Sequence, residues 1–145
     1  MAILSKDRIT LQASAADKLE AIRKAGELLV TTGCVMPEYV DGMLTREQSM
    51  STSLGNGVAI PHGMDKNRDH VLHTGISILQ LSEGVEWDEG DKVFMVIGIA
   101  ASSDEHVGVL ANLAEVVDDE ETLAELLKTN DPDFVLKHLG EKQAS

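Results

Sequence analysis

Eight consecutive residues near the middle of the chain, 93–100, contain no charged side chain and no alternation of polar with apolar residues. A strand with one face in water alternates between the two kinds of residue, whereas a strand buried on both faces does not. Residues 93–100 are therefore predicted to form a central strand of a sheet. Because both faces of that strand need cover, we expect helices packed on the sheet.

Two helices are predicted before this strand. Residues 17–32 repeat apolar side chains at helical spacing, and their charged side chains lie largely on the other face. Gly33 suits the position just after the C-terminal end of a helix. Pro37 suits the first turn of the next helix, which is predicted to continue to about Gln48.

The remaining elements complete an α/β pattern. Two short strands are predicted at residues 9–11 and 58–60 and a longer strand at residues 71–81. Three helices are predicted at residues 102–117, 120–128 and 132–139. Residues 83–91, which are rich in acids and contain Trp87, are expected to form a turn. This order predicts a mixed β-sheet flanked by helices on both faces, in a single domain over residues 1–145.

Composition excludes several classes of function. The 145 residues contain 25 Asp and Glu against 12 Lys and Arg, which gives a net charge of −13. A chain without a large basic patch is not expected to bind nucleic acid or anionic membranes, and we expect protein partners with basic surfaces. The single cysteine, Cys34, cannot form an intrachain disulfide, and no apolar run approaches the roughly 20 residues that span a bilayer. We therefore expect a cytoplasmic protein without direct membrane insertion.

His62 is the first candidate site residue. It lies between Pro61 and Gly63, directly after the short strand predicted at residues 58–60. A rigid residue on one side and a permissive one on the other would present the ring at the end of the strand, not bury it. A turn with an ordinary surface histidine is the alternative.

His106 is the second candidate. It lies a few residues after the predicted central strand, in the first turn of a predicted helix. In open α/β sheets ligands gather outside the carboxyl ends of strands, and helix N-termini there present N–H groups to anions. A helix-surface histidine beside Asp104 and Glu105 is the alternative.

Two imidazoles beside a helix N-terminus would suit phosphate. A neutral imidazole nitrogen is a nucleophile and a good leaving group at cellular pH, so a histidine can accept a phosphoryl group and pass it on. The candidate donors to the phosphoryl oxygens are Arg46, the hydroxyls of residues 51–53 and the backbone N–H groups of residues 102–106. These residues on their own leave phosphoryl transfer and plain anion binding both open.

Other chemistries are not favoured. The motifs of nucleotide-binding loops, serine-hydrolase elbows and zinc proteases are absent from the sequence. A metal site could be drawn from His62, His106, Asp65, Asp104 and Glu105, but these residues lack the i, i+4 helical spacing of a ligand pair, and we expect no metal and no cofactor. Structural, solvated or inert roles are expected for the other residues of this kind: His70, His73, His138, Cys34 and Trp87.

Residues 55–63 read Gly-Asn-Gly-Val-Ala-Ile-Pro-His-Gly. This stretch resembles the enzyme IIA components of the bacterial phosphoenolpyruvate:sugar phosphotransferase system, in the mannitol, fructose and nitrogen-regulatory superfamily. The resemblance extends over nearly the whole chain and includes residues 21–26, residues 37–40 and the pair Glu105-His106. It implies a mixed sheet flanked by helices, in agreement with the order of predicted elements.

The resemblance also implies a reaction. In that family the histidine of the Pro-His-Gly motif accepts a phosphoryl group from the phosphocarrier HPr and passes it to a cysteine of the cognate IIB domain. His62 is accordingly expected to form a tele-phosphohistidine intermediate. The same resemblance implies that His106 hydrogen-bonds and orients the phosphorylated histidine, and that Arg46 contributes charge at the site or contacts the partner protein.

Three further stretches resemble the mannitol branch of the superfamily: residues 83–88, 96–101 and 104–106. They imply transfer of phosphate to the mannitol-type IIB domain of a IIBC permease during sugar uptake. Nitrogen-regulatory IIA proteins share the motif at residues 55–63. A regulatory IIA, whose phosphorylation state controls partner proteins without sugar transport, is therefore the alternative.

Overall fold

The computed structural model of the chain describes residues 4–63, 69–101, 108, 111 and 113–140. Within these residues four strands form one mixed sheet in the order β1-β3-β4-β2, with bounds β1 Ile9–Ala13, β2 Val58–Ala59, β3 Gly75–Asp88 and β4 Asp91–Ala100. β1 runs parallel to β3 and β2 runs parallel to β4, while β3 and β4 form an antiparallel hairpin. The mixed sheet is confirmed, and residues 93–100 lie inside it as predicted.

The helices also follow the predicted order. They are α1 Lys18–Thr31, α2 Glu38–Ser49, α3 Glu120–Leu126 and α4 Pro132–Val135, with a 3₁₀ turn at Lys6–Arg8, helical residues at 113–117 and a π-helical turn at Leu136–Gly140. Asp17 begins α1 as an N-cap, because its carboxylate accepts a hydrogen bond from the backbone N–H of Glu20 at 2.9 Å. In the part of the chain that is described, no helix is long and apolar enough to cross a membrane.

Helices cover both faces of the sheet, as the apolar run of β4 requires. On one face α1 and α2 pack against the sheet through buried side chains that include Ile22 and Met43. On the other face residues 113–117, α3 and α4 pack against Ile78 and Ile97. Burial of each large aliphatic side chain contributes about 1.5–3 kcal/mol, so the two cores hold β3 and β4 firmly in the middle of the molecule.

The prediction of a turn at residues 83–91 is wrong for most of that stretch. β3 continues through Asp88, and only the two residues after it form the turn into β4. A shift in register between Gln80 and Val85 places extra residues in β3 opposite β4, which is the geometry of a β-bulge. Beyond the bulge buried and exposed side chains alternate, and Trp87 is buried as the expected packing anchor. The acids of this stretch mark the exposed face of a strand.

The buried carboxylate of Glu47 joins four segments. It lies in α2 and accepts hydrogen bonds from the hydroxyl of Thr52 at 2.5 Å, from the backbone N–H of Thr52 at 3.2 Å and from the indole N–H of Trp87 at 2.9 Å. The Lys18 ammonium at the start of α1 lies 3.8 Å away. A buried carboxylate is costly unless donors satisfy it, and these donors come from α1, from β3 and from the connection that leads into β2.

We expect Glu47→Gln to destabilise the protein by about 1–3 kcal/mol, because the amide NH₂ cannot accept the hydrogen bonds that the second carboxylate oxygen receives. Urea unfolding measures the change, and the indole N–H resonance of Trp87, the only tryptophan in the chain, reports the lost acceptor. The matched control is Glu27→Gln on the exposed face of α1, which should leave stability nearly unchanged. Equal stabilities for the two variants would contradict the role given to Glu47.

Candidate active site

His62 lies where the carboxyl ends of β2 and β4 meet. The backbone of His62 pairs in parallel with Ile99 of β4, and the Ile99 N–H donates to the carbonyl of Pro61 at 2.9 Å. This is the edge of the sheet at which the sequence predicted a site. The expectation of an openly presented ring is wrong, because only 8% of His62 is exposed. The ring folds back towards the preceding backbone.

The folded-back ring has a defined tautomer. The Nδ1 of His62 lies 2.8 Å from the carbonyl oxygen of Ile60. A carbonyl oxygen can only accept a hydrogen bond, so the neutral ring carries its proton on Nδ1 and its lone pair on Nε2. Nε2 is therefore the nitrogen that can act as a nucleophile.

Ile60, whose carbonyl holds Nδ1, is itself held from α2 through its backbone N–H. The Ile60 N–H donates to the Thr52 carbonyl at 3.0 Å, and Ser53 pairs with Ala59 across the same small hairpin. Thr52 in turn is fixed by the carboxylate of Glu47. The position of His62 therefore depends on a chain of hydrogen bonds that begins in a helix.

Tyr39 of α2 reaches the other side of His62. Its buried hydroxyl donates to the carbonyl of Ile99 at 2.7 Å and accepts the backbone N–H of Gly63 at 2.9 Å. Burial raises the pKa of Tyr39 above its ordinary value, although the hydrogen bond from Gly63 opposes this effect, so the hydroxyl keeps its proton at neutral pH.

Gly63 is required by this contact. A Cβ at this position would lie 2.6 Å from Cε1 and 2.9 Å from Cζ of the Tyr39 ring, which is too close for any side chain. Sequence reasoning placed Tyr39 only within the second predicted helix and treated Gly63 only as a permissive residue. The one available signal was that the chain contains a single tyrosine, and that signal does not name its partners.

The other candidate residues divide into two groups. Arg46 is half-buried in the last turn of α2, where its guanidinium donates to the carbonyl of Met50 at 2.7 Å. His106 lies outside the described residues, as do Asp65, Asp104, Glu105 and all of residues 102–106 with their N–H groups. The structure therefore brings Arg46 to the connection that leads into β2, and the predicted pairing of His62 with His106 stays a prediction.

The hydroxyls of residues 51–53 are engaged elsewhere. Ser51 donates to Asp88 at 2.6 Å, Ser53 donates to Asp91, and Thr52 donates to Glu47. The two serines fasten the connection to the β3–β4 hairpin, and Thr52 fastens it to α2. A structural role for these three hydroxyls is therefore favoured over their use as phosphate donors.

The remaining described histidines and the cysteine lie in surroundings that differ from those of His62. The His138 ring packs on Phe134 with centroids 4.4 Å apart, His73 is exposed, and the backbone carbonyl of His70 accepts the N–H of Met36 at 2.8 Å. Cys34 is a buried free thiol. Over the described ranges, no three His, Cys, Asp or Glu side chains are grouped so as to hold a metal ion.

Curated relatives match most of the chain. It is 51% identical over 132 residues to the multiphosphoryl transfer protein of Escherichia coli O157:H7, which covers 90% of the chain but only 35% of that protein. It is 38% identical over 141 residues to the mannitol-specific phosphotransferase enzyme IIA component of Bacillus subtilis strain 168, covering 97% of the chain and 99% of that component. The chain thus spans about a third of the first relative and nearly all of the second.

Solved structures agree with the fold. The chain is similar to the mannitol enzyme IIA of Escherichia coli, which was solved in complex with phosphorylated mannitol enzyme IIB. The TM-score is 0.89 and the identity is 44%, and the match covers 94% of this chain and 96% of that one. It is also similar to the nitrogen regulatory protein IIA-Ntr of Neisseria meningitidis, with a TM-score of 0.81 and 26% identity over 94% and 96% of the two chains.

The match to a family model covers residues 2–142 and therefore nearly all of the sequence. The motif around His62, the mixed sheet and the relatives of similar length agree with that match. The chain belongs to the EIIA 2 family of the phosphoenolpyruvate-dependent sugar phosphotransferase system.

Proposed function

We propose that the protein is a phosphocarrier that accepts a phosphoryl group from phospho-HPr on Nε2 of His62 and passes it to a cysteine of a mannitol-type IIB domain. The observation that carries this proposal is the 2.8 Å contact between Nδ1 of His62 and the carbonyl oxygen of Ile60. That contact leaves the lone pair on Nε2, the nitrogen that becomes phosphorylated in a tele-phosphohistidine.

The contact between Nδ1 and the Ile60 carbonyl also stabilises the positive charge that the ring gains on phosphorylation. Attack by Nε2 on phosphorus forms an N–P bond while the bond from phosphorus to the donor breaks, and the ring then carries positive charge with a proton on Nδ1. The Ile60 carbonyl accepts this N–H, and a hydrogen bond from a charged donor is stronger than one from a neutral donor. In the second step a cysteine thiolate attacks phosphorus, the N–P bond breaks and its electron pair returns to Nε2.

The roles of two further residues belong to the proposal. His106 follows the end of β4 in the sequence and is proposed to hydrogen-bond and orient the phosphorylated ring. Arg46 is proposed to supply positive charge to the phosphoryl group or to contact the partner protein. The described contact of Arg46 to the Met50 carbonyl places the guanidinium at the end of α2, next to the connection that leads to β2.

Mannitol is the proposed sugar system. The similar Escherichia coli structure is a complex of mannitol IIA with phosphorylated mannitol IIB, and a relative from Vibrio cholerae that is 44% identical carries the IIA region within a mannitol-specific EIICBA component. Identity to the nitrogen regulatory protein is lower, at 26%. We further propose that residues 1–145 form one IIA domain and that the protein acts in the cytoplasm, where HPr and the IIB domain would meet it.

Incubation with phosphoenolpyruvate, enzyme I and HPr should label the protein with an acid-labile, base-stable phosphate, because a phosphohistidine has that stability pattern. His62→Ala should abolish the label, and ³¹P NMR of the wild-type product should show phosphate on Nε2. The matched control is His73→Ala, which removes an exposed histidine and should leave labelling unchanged. Label retained in His62→Ala would refute the assignment of the nucleophile.

His106→Ala should reduce onward transfer more than acceptance, because a residue that orients the phosphorylated ring need not be the nucleophile. The two half-reactions are measured separately, by the rate of labelling from phospho-HPr and by the rate of discharge from purified phosphoprotein onto a IIB domain. Complete and equal loss of both half-reactions would contradict this division of roles.

The phosphorylated protein should discharge rapidly onto a mannitol IIB domain. Quenched-flow measurement with a panel of IIB domains compares the rates, and a IIB domain whose acceptor cysteine is replaced by serine is the control. Labelling of His62 without discharge onto any IIB domain would favour the regulatory alternative, in which the phosphorylation state controls partner proteins.

A further inference from the structure

The backbone on both sides of His62 is fixed by one residue of the neighbouring strand. In a regular parallel ladder the residue opposite His62, which is Ile99, donates its N–H to the carbonyl of Pro61 and accepts the N–H of Gly63. The first of these bonds is present at 2.9 Å. At the position of the second bond, the Tyr39 hydroxyl bonds to both backbone groups, the carbonyl of Ile99 and the N–H of Gly63.

Tyr39 therefore links β4 to the chain that continues from β2. The hydroxyl donates to the Ile99 carbonyl and accepts the N–H of Gly63, so one side chain satisfies both backbone groups. The aromatic ring lies against Gly63, where only glycine fits. The two residues are matched to each other, and their contact sets the direction in which the chain leaves His62.

The direction of the backbone decides which nitrogen of His62 faces its acceptor. Ile60, whose carbonyl accepts the hydrogen bond from Nδ1, lies two residues before His62, and the Tyr39 hydroxyl bonds to the residue after it. The orientation of the peptide units between these two anchors sets where the ring lies relative to the Ile60 carbonyl. Loss of the Tyr39 hydroxyl would remove its bond to the Gly63 N–H and loosen the peptide unit after His62.

We propose that Tyr39 is a positioning residue, an inference that rests on the proposed function. Its hydroxyl holds the backbone of His62, so that Nδ1 stays on the Ile60 carbonyl and phosphoryl transfer is directed to Nε2. The burial that raises the pKa of Tyr39 supports this role, because the phenol remains protonated and can donate to Ile99 while it accepts from Gly63.

The test is Tyr39→Phe, which keeps the ring and removes only the hydroxyl. Single-turnover labelling by saturating phospho-HPr should slow by roughly 10- to 100-fold, in line with the cost of misplacing a reacting group. In addition, ³¹P NMR should detect phosphate on Nδ1 as well as on Nε2. A loss of stability alone would not change which nitrogen is phosphorylated.

The matched control is Ser77→Ala. Ser77 is fully buried in β3 and its hydroxyl donates to the Ala25 carbonyl at 2.8 Å, so this variant also loses one buried hydroxyl bonded to a backbone carbonyl. It lies away from Gly63 and should keep both the wild-type rate and the single Nε2 product. Urea unfolding of the two variants separates stability from positioning.

Gly63→Ala keeps the hydroxyl but forces the ring of Tyr39 away, and it serves as the second variant should Tyr39→Phe fail to fold. It should also slow labelling and yield phosphate on both nitrogens. Wild-type rates with phosphate only on Nε2, in whichever variant folds, would overturn the inference and leave the proposed function intact. Failure of the wild-type protein to label would instead overturn the proposed function.

Discussion

The site depends on how a strand of two residues is held at the edge of a sheet. β2 contains only Val58 and Ala59, and Pro61 follows without an N–H to continue the ladder. So short a strand gains little from its own pairing with β4. The chain on both sides of it is therefore tied to other elements, and those ties place His62 at the sheet edge.

Two side chains of one helix supply the ties. Glu47 holds Thr52, whose carbonyl holds Ile60 ahead of His62. Tyr39, two turns earlier in α2, holds Gly63 after His62 and is itself anchored to β4. Because both anchors belong to α2, a helix buried against α1 and the sheet, the geometry around His62 has the rigidity of the core.

Local features were predictable, and long-range ones were not. The limits of α1, the place of β4 and the end of β2 at Pro61 depend on residues close in sequence, and the pattern predicted all three. The hydrogen bonds of Tyr39 join residues 24 and 60 positions apart, and no periodicity encodes them. The acids of residues 83–91 resembled a turn because a bulge changes the alternation within β3. His62 itself was predicted, but its burial depends on those distant contacts.

The near burial of His62 has a consequence for the proposed transfer. A histidine on a mobile loop could swing towards a donor, whereas this ring is fixed by Nδ1 and by the backbone on either side, and it keeps only 8% exposure. The donor must then bring phosphorus to Nε2. The nucleophile is already ordered in the folded protein, so binding a partner carries no further entropic cost for ordering the ring. In a chain with a net charge of −13, long-range attraction of a basic partner can supply the approach, while the local geometry selects the nitrogen.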